Sequence, residues 1–272
     1  DMMAGIKALK DAGKISKIIV LINTSNALQV DFLKNNEYGV DATLWIGGVG
    51  ATGINAVAEI LNGTINPSGS LVDTYCYDNY SSPAMVNFAP TIYGGWEESG
   101  LPDTADTYVI YQEGIYVGYR YYETRYEDTV MGKGNTVGYD YSSDVAFPFG
   151  HGLSYTSFDF KDMEIETAEG GWNVKVTVTN TGKVAGKDVV QIYVKAPKGE
   201  LDKPERELKG FAKTPELAPG ESCQVSVYVS KESLASFNEA SDSWEIDNGN
   251  YTFIAAQHSM DNSQKVKVKI AD

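Results

Sequence analysis

Tyr108-Val-Ile-Tyr-Gln-Glu-Gly-Ile-Tyr-Val-Gly-Tyr-Arg-Tyr-Tyr-Glu-Thr-Arg-Tyr126 separates two unlike halves of the chain and carries seven of its eighteen tyrosines. From Ile115 to Tyr121 it alternates, with Ile115, Val117, Tyr119 and Tyr121 on one face and Tyr116, Gly118, Arg120 and Tyr122 on the other. That spacing predicts a strand. Tyrosine rings combine a large apolar area with a polar tip that needs a partner, so a strand aromatic on both faces is expected between two packed layers. The competing reading of so many rings is a sugar-stacking surface.

Upstream, Met2, Met3, Ile6 and Leu9 fall at helical spacing, and Lys17-Ile-Ile-Val-Leu-Ile22 is the short apolar run of a buried parallel strand. Asn23-Thr-Ser-Asn26 reads as a turn and helix cap, with a helix expected from Ala27 to about Asn36. A second strand, Ala42-Thr-Leu-Trp-Ile46, runs into the glycine-rich turn Gly47–Gly53, which opens a helix through about Leu61. Alternating helices and strands place this half in the parallel α/β class. Two full strands are too few for such a sheet, so further strands are expected from sequence outside this chain. Asn66-Pro-Ser-Gly69 is a turn, Ser70–Thr74 an extended piece, and Asp78–Gly95 and Gly132–Ser143 are long loops of the kind that serve function or cover another domain.

Beyond Phe158 the texture changes. Trp172–Thr179, Val189–Val194, Gln224–Ser230, Tyr251–Ile254 and Lys265–Ile270 alternate as short strands, separated by Asn180-Thr-Gly182, Pro197-Lys-Gly199, Pro219-Gly220 and Asp247-Asn-Gly249. This pattern predicts an antiparallel β-sandwich of the immunoglobulin or fibronectin type III kind. The expected organisation is an incomplete α/β domain over 1–155, linking segment included, and a sandwich over 156–272.

Composition narrows the function. A formal net charge of −15 argues against nucleic acid, whose phosphates are bound by clustered Lys and Arg. Two cysteines give no disulfide framework, and two histidines, His151 and His258, cannot build a multi-histidine metal site. No apolar run has the length of a transmembrane helix.

Several motifs carry chemistry on paper. Gly48-Val-Gly50-Ala-Thr-Gly53 matches G-x-G-x-x-G after a strand, with Asp73 twenty positions beyond. That is a dinucleotide fingerprint, set against a plain glycine turn that lets a helix approach its strand. Glycoside hydrolysis needs paired carboxylates. Glu113 lies among aromatic residues, where burial raises a carboxyl pKa, or it pairs with Arg120 or Arg125. Glu97-Glu98 and Glu127-Asp128 are read as solvated loops, and Asp202, Glu205 and Glu207, alternating with Lys203, Arg206 and Lys209, as a charged surface edge. His151 is read as structural.

Taken together, Ala42–Gly63, Asn66-Pro-Ser-Gly-Ser-Leu71, Glu113-Gly-Ile-Tyr-Val-Gly-Tyr-Arg-Tyr-Tyr122 and Phe147-Pro-Phe-Gly-His-Gly-Leu-Ser-Tyr155 resemble glycoside hydrolase family 3, specifically its bacterial β-glucosidases. Asp188–Val194, Pro204–Phe211 and Leu217–Glu221 are similar to the fibronectin type III-like domain of that family. The resemblance implies a retaining enzyme that removes terminal β-linked glucose, or xylose, from a β-glucoside or cello-oligosaccharide. It implies no cofactor and no metal. In the family the nucleophilic aspartate sits in a TIM-like barrel in a Ser-Asp-Trp context, and the acid/base glutamate sits in the α/β domain in a Gly-Glu-Gly context. Neither motif occurs here, and Ser241-Asp-Ser-Trp244 falls in an expected hairpin of the sandwich. The catalytic residues are therefore unknown in this chain and expected outside it, with the barrel and the start of the α/β domain as partners in the same protein or as a separate piece. Asn23–Ala27 and Tyr75–Met85 look closest to members whose barrel follows the sandwich. A homo-oligomer is allowed, and a bacterial cytoplasmic setting is favoured over secretion. Loops at the C-terminal ends of the parallel strands should face the barrel, which nominates Trp45, Gly48, Val49 and Gly50 as substrate-proximal. The alternative is a non-catalytic carbohydrate-binding or domain-scaffolding module.

Overall fold

The computed structural model describes residues 2–86, 88–89, 91–100, 102, 106–133 and 139–271. Parts of the two long loops, at 87, 90 and 134–138, lie outside the described residues. The first half opens with α1 (Met2–Asp11), β1 (Ile19–Ile22), β2 (Ala42–Trp45) and α2 (Ile54–Leu61). β1 and β2 pair in parallel, from Ile19 opposite Ala42 to Ile22 opposite Trp45. β3 (Tyr75–Cys76), a short α3 (Pro83–Val86) and the small ladder of β4 (Thr91–Ile92) with β5 (Thr107–Tyr108) follow. Then come α4 (Tyr119–Val130), α5 (Tyr141–Asp144) and β6 (Val145–Phe147), which returns to pair antiparallel with β3.

The second half is the sandwich. One sheet has the order β11-β8-β7, from β7 (Phe158–Ala168), β8 (Gly171–Asn180) and β11 (Ser222–Ser230). The other is β10-β9-β14-β15, from β9 (Val189–Lys195), β10 (Glu207–Lys213), β14 (Gly249–Ala256) and β15 (Gln264–Ile270). β12 (Ser236–Asn238) and β13 (Ser243–Glu245) form a separate hairpin. The inward residues of the alternating strands, Val174, Val176 and Val178 facing Val190, Ile192 and Phe253, are fully buried and make the core.

Two expected elements differ. The tyrosine stretch is not a strand: it is a turn, with Gly114 at φ 54 and Gly118 at φ 59, leading into helix α4. Its alternation from Ile115 to Tyr121 spans that turn and the first residues of the helix. Tertiary demand overrides it, because Tyr119, Glu123 and Tyr122 find buried partners only at helical spacing. The expected helix from Ala27 is only a kinked 3₁₀ segment, Asp31–Asn36, with Asn35 and Asn36 at positive φ. Val30, fully buried, instead sends its N–H to the Cys76 carbonyl at 2.9 Å, and Gln29 Oε1 accepts from Asn79 N at 3.1 Å. The first bond takes up a backbone N–H that a helical turn would use, and the second fixes the Gln29 side chain against the segment after β3.

The halves meet along Phe147–Tyr155. Gly150 N donates to Leu71 O and Leu71 N to His151 O, while Ser259 N, beyond β14, donates to Phe149 O. Asn66 joins both sides: its Nδ2 donates to Ala185 O, and its Oδ1 accepts from Ser154 Oγ and Tyr155 N, each at 2.8–2.9 Å.

Core and edge give opposite predictions. Phe253→Ala, at 0% exposure, should lower the unfolding free energy by about 3–5 kcal/mol in urea titration. Phe211→Ala, on edge strand β10 at 68% exposure, should stay within about 0.5 kcal/mol. At the junction Gly150 has φ 83, and a Cβ there would lie 2.1 Å from Gln191 Oε1. Gly150→Ala should therefore cost at least about 1–3 kcal/mol, read as a lower urea midpoint.

Candidate functional site

The parallel pair presents the candidate site at its C-terminal rim. Leaving β1, the chain turns at Asn23 and Thr24; leaving β2, it turns through Ile46–Gly53 into α2. The two turns are tied together, since Ile46 N donates to Ile22 O at 2.8 Å and Trp45 Nε1 donates to Thr24 O at 3.0 Å. The half-buried Trp45 ring packs against the cluster of Ile22, Val30 and Tyr75. Two of the glycines leave no room for a side chain: at Gly47, with φ 52, a Cβ would sit 3.1 Å from the Trp45 ring, and at Gly53 it would lie 2.3 Å from Val49 O. Gly48 and Gly50 are exposed with open space where a Cβ would be, and Val49 between them is half-buried. Val49 O accepts from Gly53 N at 3.1 Å and closes the turn. The structure thus brings Trp45, Gly48, Val49 and Gly50 together on one braced rim.

The dinucleotide reading fails on topology. Asp73 precedes β3, and β3 pairs antiparallel with β6 instead of lying as a parallel neighbour of β2. A fingerprint acidic residue belongs to the next parallel strand of the same βαβ unit. The glycine turn here serves the close passage of the backbone beside Trp45.

The rim itself carries no acid/base pair, and the carboxylates named from sequence lie elsewhere. Glu113 is half-buried in the turn before α4, and both arginines proposed for it are engaged: Arg120 Nη2 lies 3.1 Å from Glu207, and Arg125 sits 5.0 Å from the centre of the Tyr139 ring. Glu97 and Glu98 are exposed as expected. Glu127 and Asp128 are not in a loop; they belong to α4, and Glu127 pairs with Lys195 at 3.3 Å. The expected surface edge at 202–209 is largely enclosed. Arg206 is 7% exposed, and Lys195–Glu205 and Lys203–Asp247 form close, partly buried ion pairs. The charges alternate there because they cross between α4, β9 and the 247 turn, not because they face water. His151 stacks on Phe147 at 5.2 Å, and burial lowers its pKa. Ser241–Trp244 lies in the β12–β13 hairpin, where Trp244 is 71% exposed beside Phe237.

A carboxyl absent from the sequence reading has the perturbation usually associated with an acid catalyst. Burial pushes Glu123 of α4 up to about 7, against the pull of Ser259, Tyr141 and Arg206. Its Oε1 accepts from Ser259 Oγ at 2.6 Å and Tyr141 Oη at 3.1 Å. At 1% exposure it is sealed from any substrate, so it holds structure and is not a reaction centre. Helical spacing from Tyr119 to Glu123 is the signal that would have found it.

Known proteins match this architecture. The glycosyl hydrolase family 3 C-terminal domain model matches residues 3–119, and the fibronectin type III-like domain model matches residues 188–259. The thermostable beta-glucosidase B of Acetivibrio thermocellus is 32% identical over 94% of this chain and 30% of its own length. Beta-glucosidase A of Butyrivibrio fibrisolvens is 35% identical over 91% of this chain and 29% of its own. Among solved structures, beta-glucosidase 3B from Thermotoga neapolitana in complex with glycerol superposes with a TM-score of 0.80 at 34% identity, covering 100% of this chain and 34% of that one. The chain therefore spans about a third of the length of each of these three proteins. With the family's C-terminal α/β domain and fibronectin type III-like sandwich both present, the chain belongs to glycosyl hydrolase family 3.

Proposed function

We propose that this chain is part of a retaining β-glucosidase that hydrolyses terminal, non-reducing β-D-glucosyl residues through a glycosyl-enzyme intermediate. The observation that carries the reading is the unbroken likeness, over 91–100% of the chain, to beta-glucosidases of about three times its length. Such chemistry needs two carboxyl groups about 5 Å apart, and the rim offers none. Both catalytic carboxylates then belong to the remainder of the protein, the acid/base to the start of the α/β domain and the nucleophile to a TIM-like barrel. The exposed apolar residues of β1, Ile19 at 45% and Leu21 at 40%, support further protein packed against this sheet. We divide the chain at 155/156, where the Phe147–Tyr155 turn hands over to the sandwich.

In the complete enzyme the rim Trp45–Gly53 faces the barrel and borders the sugar. Its contribution is shape: an indole fixed by its bond to Thr24, and glycines that leave room for a ligand. Activity is expected on an aryl β-D-glucoside, with anomeric retention observed by NMR; inversion would overturn the retaining mechanism, and inactivity of the complete protein would leave the binding-module reading. Trp45→Ala in the complete enzyme should lower kcat/KM by about tenfold or more, roughly 1.4 kcal/mol of transition-state stabilisation. Trp45→Phe, which keeps a ring but loses the bond to Thr24, should lose less. Unchanged kinetics in Trp45→Ala would take this rim out of the site.

A further inference from the structure

Helix α4 lies between the two halves and holds both. Tyr122 on one face is 3% exposed and packs with Cys76 and Val145 of β3 and β6, its hydroxyl 2.9 Å from Ser81 Oγ. Tyr119, Arg120, Glu123, Thr124 and Glu127, at the spacing of a single helical face, meet the sandwich. Tyr119 Oη accepts from Leu208 N at 2.8 Å, Thr124 Oγ1 accepts from Glu205 N at 2.8 Å, and Arg120 and Glu127 pair with Glu207 and Lys195. At the centre of this seat is Glu123, bonded to Ser259 of the loop after β14.

The seat treats the two forms of Glu123 unequally. Its Oε2 is buried with no partner, a costly arrangement for a carboxylate and a much milder one for a neutral acid. Every neighbouring element presents a titratable or charged group to this cluster. Tyr139 faces it from just before α5, Tyr141 from the first residue of α5 and Tyr193 from β9, all with pKa raised by burial and so neutral. His258, its pKa lowered by burial, and Asp261 lie on the loop after β14, and Arg206 comes from the segment before β10. The Arg206 guanidinium is committed to Ser259 O at 2.7 Å, Asp261 O at 3.1 Å and Asn262 Oδ1 at 3.0 Å, while its Nε has no partner.

We propose that α4 is a proton-operated latch between the two halves: with Glu123 protonated the helix seats on the 257–262 loop, and release of that proton to water loosens the helix from the sandwich while Tyr122 keeps its hold on the α/β half. The direction follows from the buried acid. A carboxyl that binds its proton more tightly when seated stabilises seating fully below the ordinary carboxylate range, and that stabilisation is lost as pH rises through about 7.

Hydrogen exchange of the α4 amides, corrected for the intrinsic rate and compared at about pH 5.5 and about pH 8.5, reads the latch directly. Wild-type protection should fall roughly tenfold or more across that interval. Glu123→Gln, which keeps an acceptor for Ser259 but has no proton to lose, should show the same protection at both values. PH-independent protection in the wild type, or an unchanged pH response in the variant, overturns the proposal. Should Glu123→Gln fail to fold, the carboxyl ¹³C shift of Glu123 in the wild type decides: a midpoint near neutrality supports the latch, and one in the ordinary carboxylate range overturns it.

Discussion

A single buried amide sets how the two halves of this chain can meet. Strand β9 is covered on both faces: Val190, Ile192 and Val194 point into the sandwich core, while Gln191 and Tyr193 point at the junction. Gln191, at 4% exposure, donates through Nε2 to Gly150 O at 3.1 Å and to Gln257 O, and its Oε1 accepts from Tyr193 Oη at 2.7 Å. An amide so placed must have its hydrogen bonds, since an unmet buried donor costs on the order of 1–3 kcal/mol. The linking segment therefore has to bring a carbonyl to it, and it does so at Gly150, where a Cβ would lie 2.1 Å from Gln191 Oε1 and obstruct the approach. From Gly150 the rest follows: Phe149 stacks on Tyr119 at 4.6 Å, and the neighbouring backbone pairs with Leu71 and Ser259.

Stability and geometry are supplied by different chemistry. The sandwich core is aliphatic and aromatic, and its burial is what drives that half to fold. The junction is polar and ionic, with Arg206, Glu123, Lys195–Glu205 and Asn66 at its contacts. Partly buried ion pairs recover little net energy after desolvation, yet a misaligned one is strongly penalised. Such a junction specifies one relative placement and leaves that placement sensitive to the charge state of its members. Glu123 is the extreme case, since it has one oxygen with two donors and the other with none.

What was legible in the sequence follows from how local each signal is. β8 and β11 keep one hydrophobic phase, and each is found where alternation places it; in β14 the inward phase of Tyr251, Phe253 and Ala255 is joined by Ile254 and Ala256 buried on the other face. β7 is silent to the same test because a bulge between Lys161 and Glu164, with Asp162 at φ 51, shifts the inward positions from Phe158 and Phe160 to Met163 and Ile165. β10 is hidden by its charges and by a second bulge between Leu208 and Gly210. The tyrosine stretch fails in the opposite way, through an alternation that no sheet uses. Glu123 was missed for the same reason, because its burial is a property of the helical face that was not assigned. The turn at Trp45–Gly53 was legible because β2 and α2 are short, regular and consecutive, so it falls where the parallel class puts it even though the segment between β1 and β2 is a kinked 3₁₀ turn.

That regularity also limits what the rim can do alone. Two parallel strands place an indole and a run of glycines at one edge, and the hydrogen bonds Ile46–Ile22 and Trp45–Thr24 make the edge stiff. Stiffness without an ionisable group gives orientation and exclusion of water but no proton transfer and no nucleophile. On the proposed reading, then, the division of labour is between domains: one part of the enzyme supplies the carboxylates, and this chain supplies a wall whose position relative to them depends on the α/β half being held true. The sandwich holds that half through the Phe147–Tyr155 segment and α4. On the same reading its role is to keep a shape-giving edge aligned with chemistry located elsewhere, and the buried contacts of Gln191, Gly150 and Glu123 at the junction are what hold that alignment.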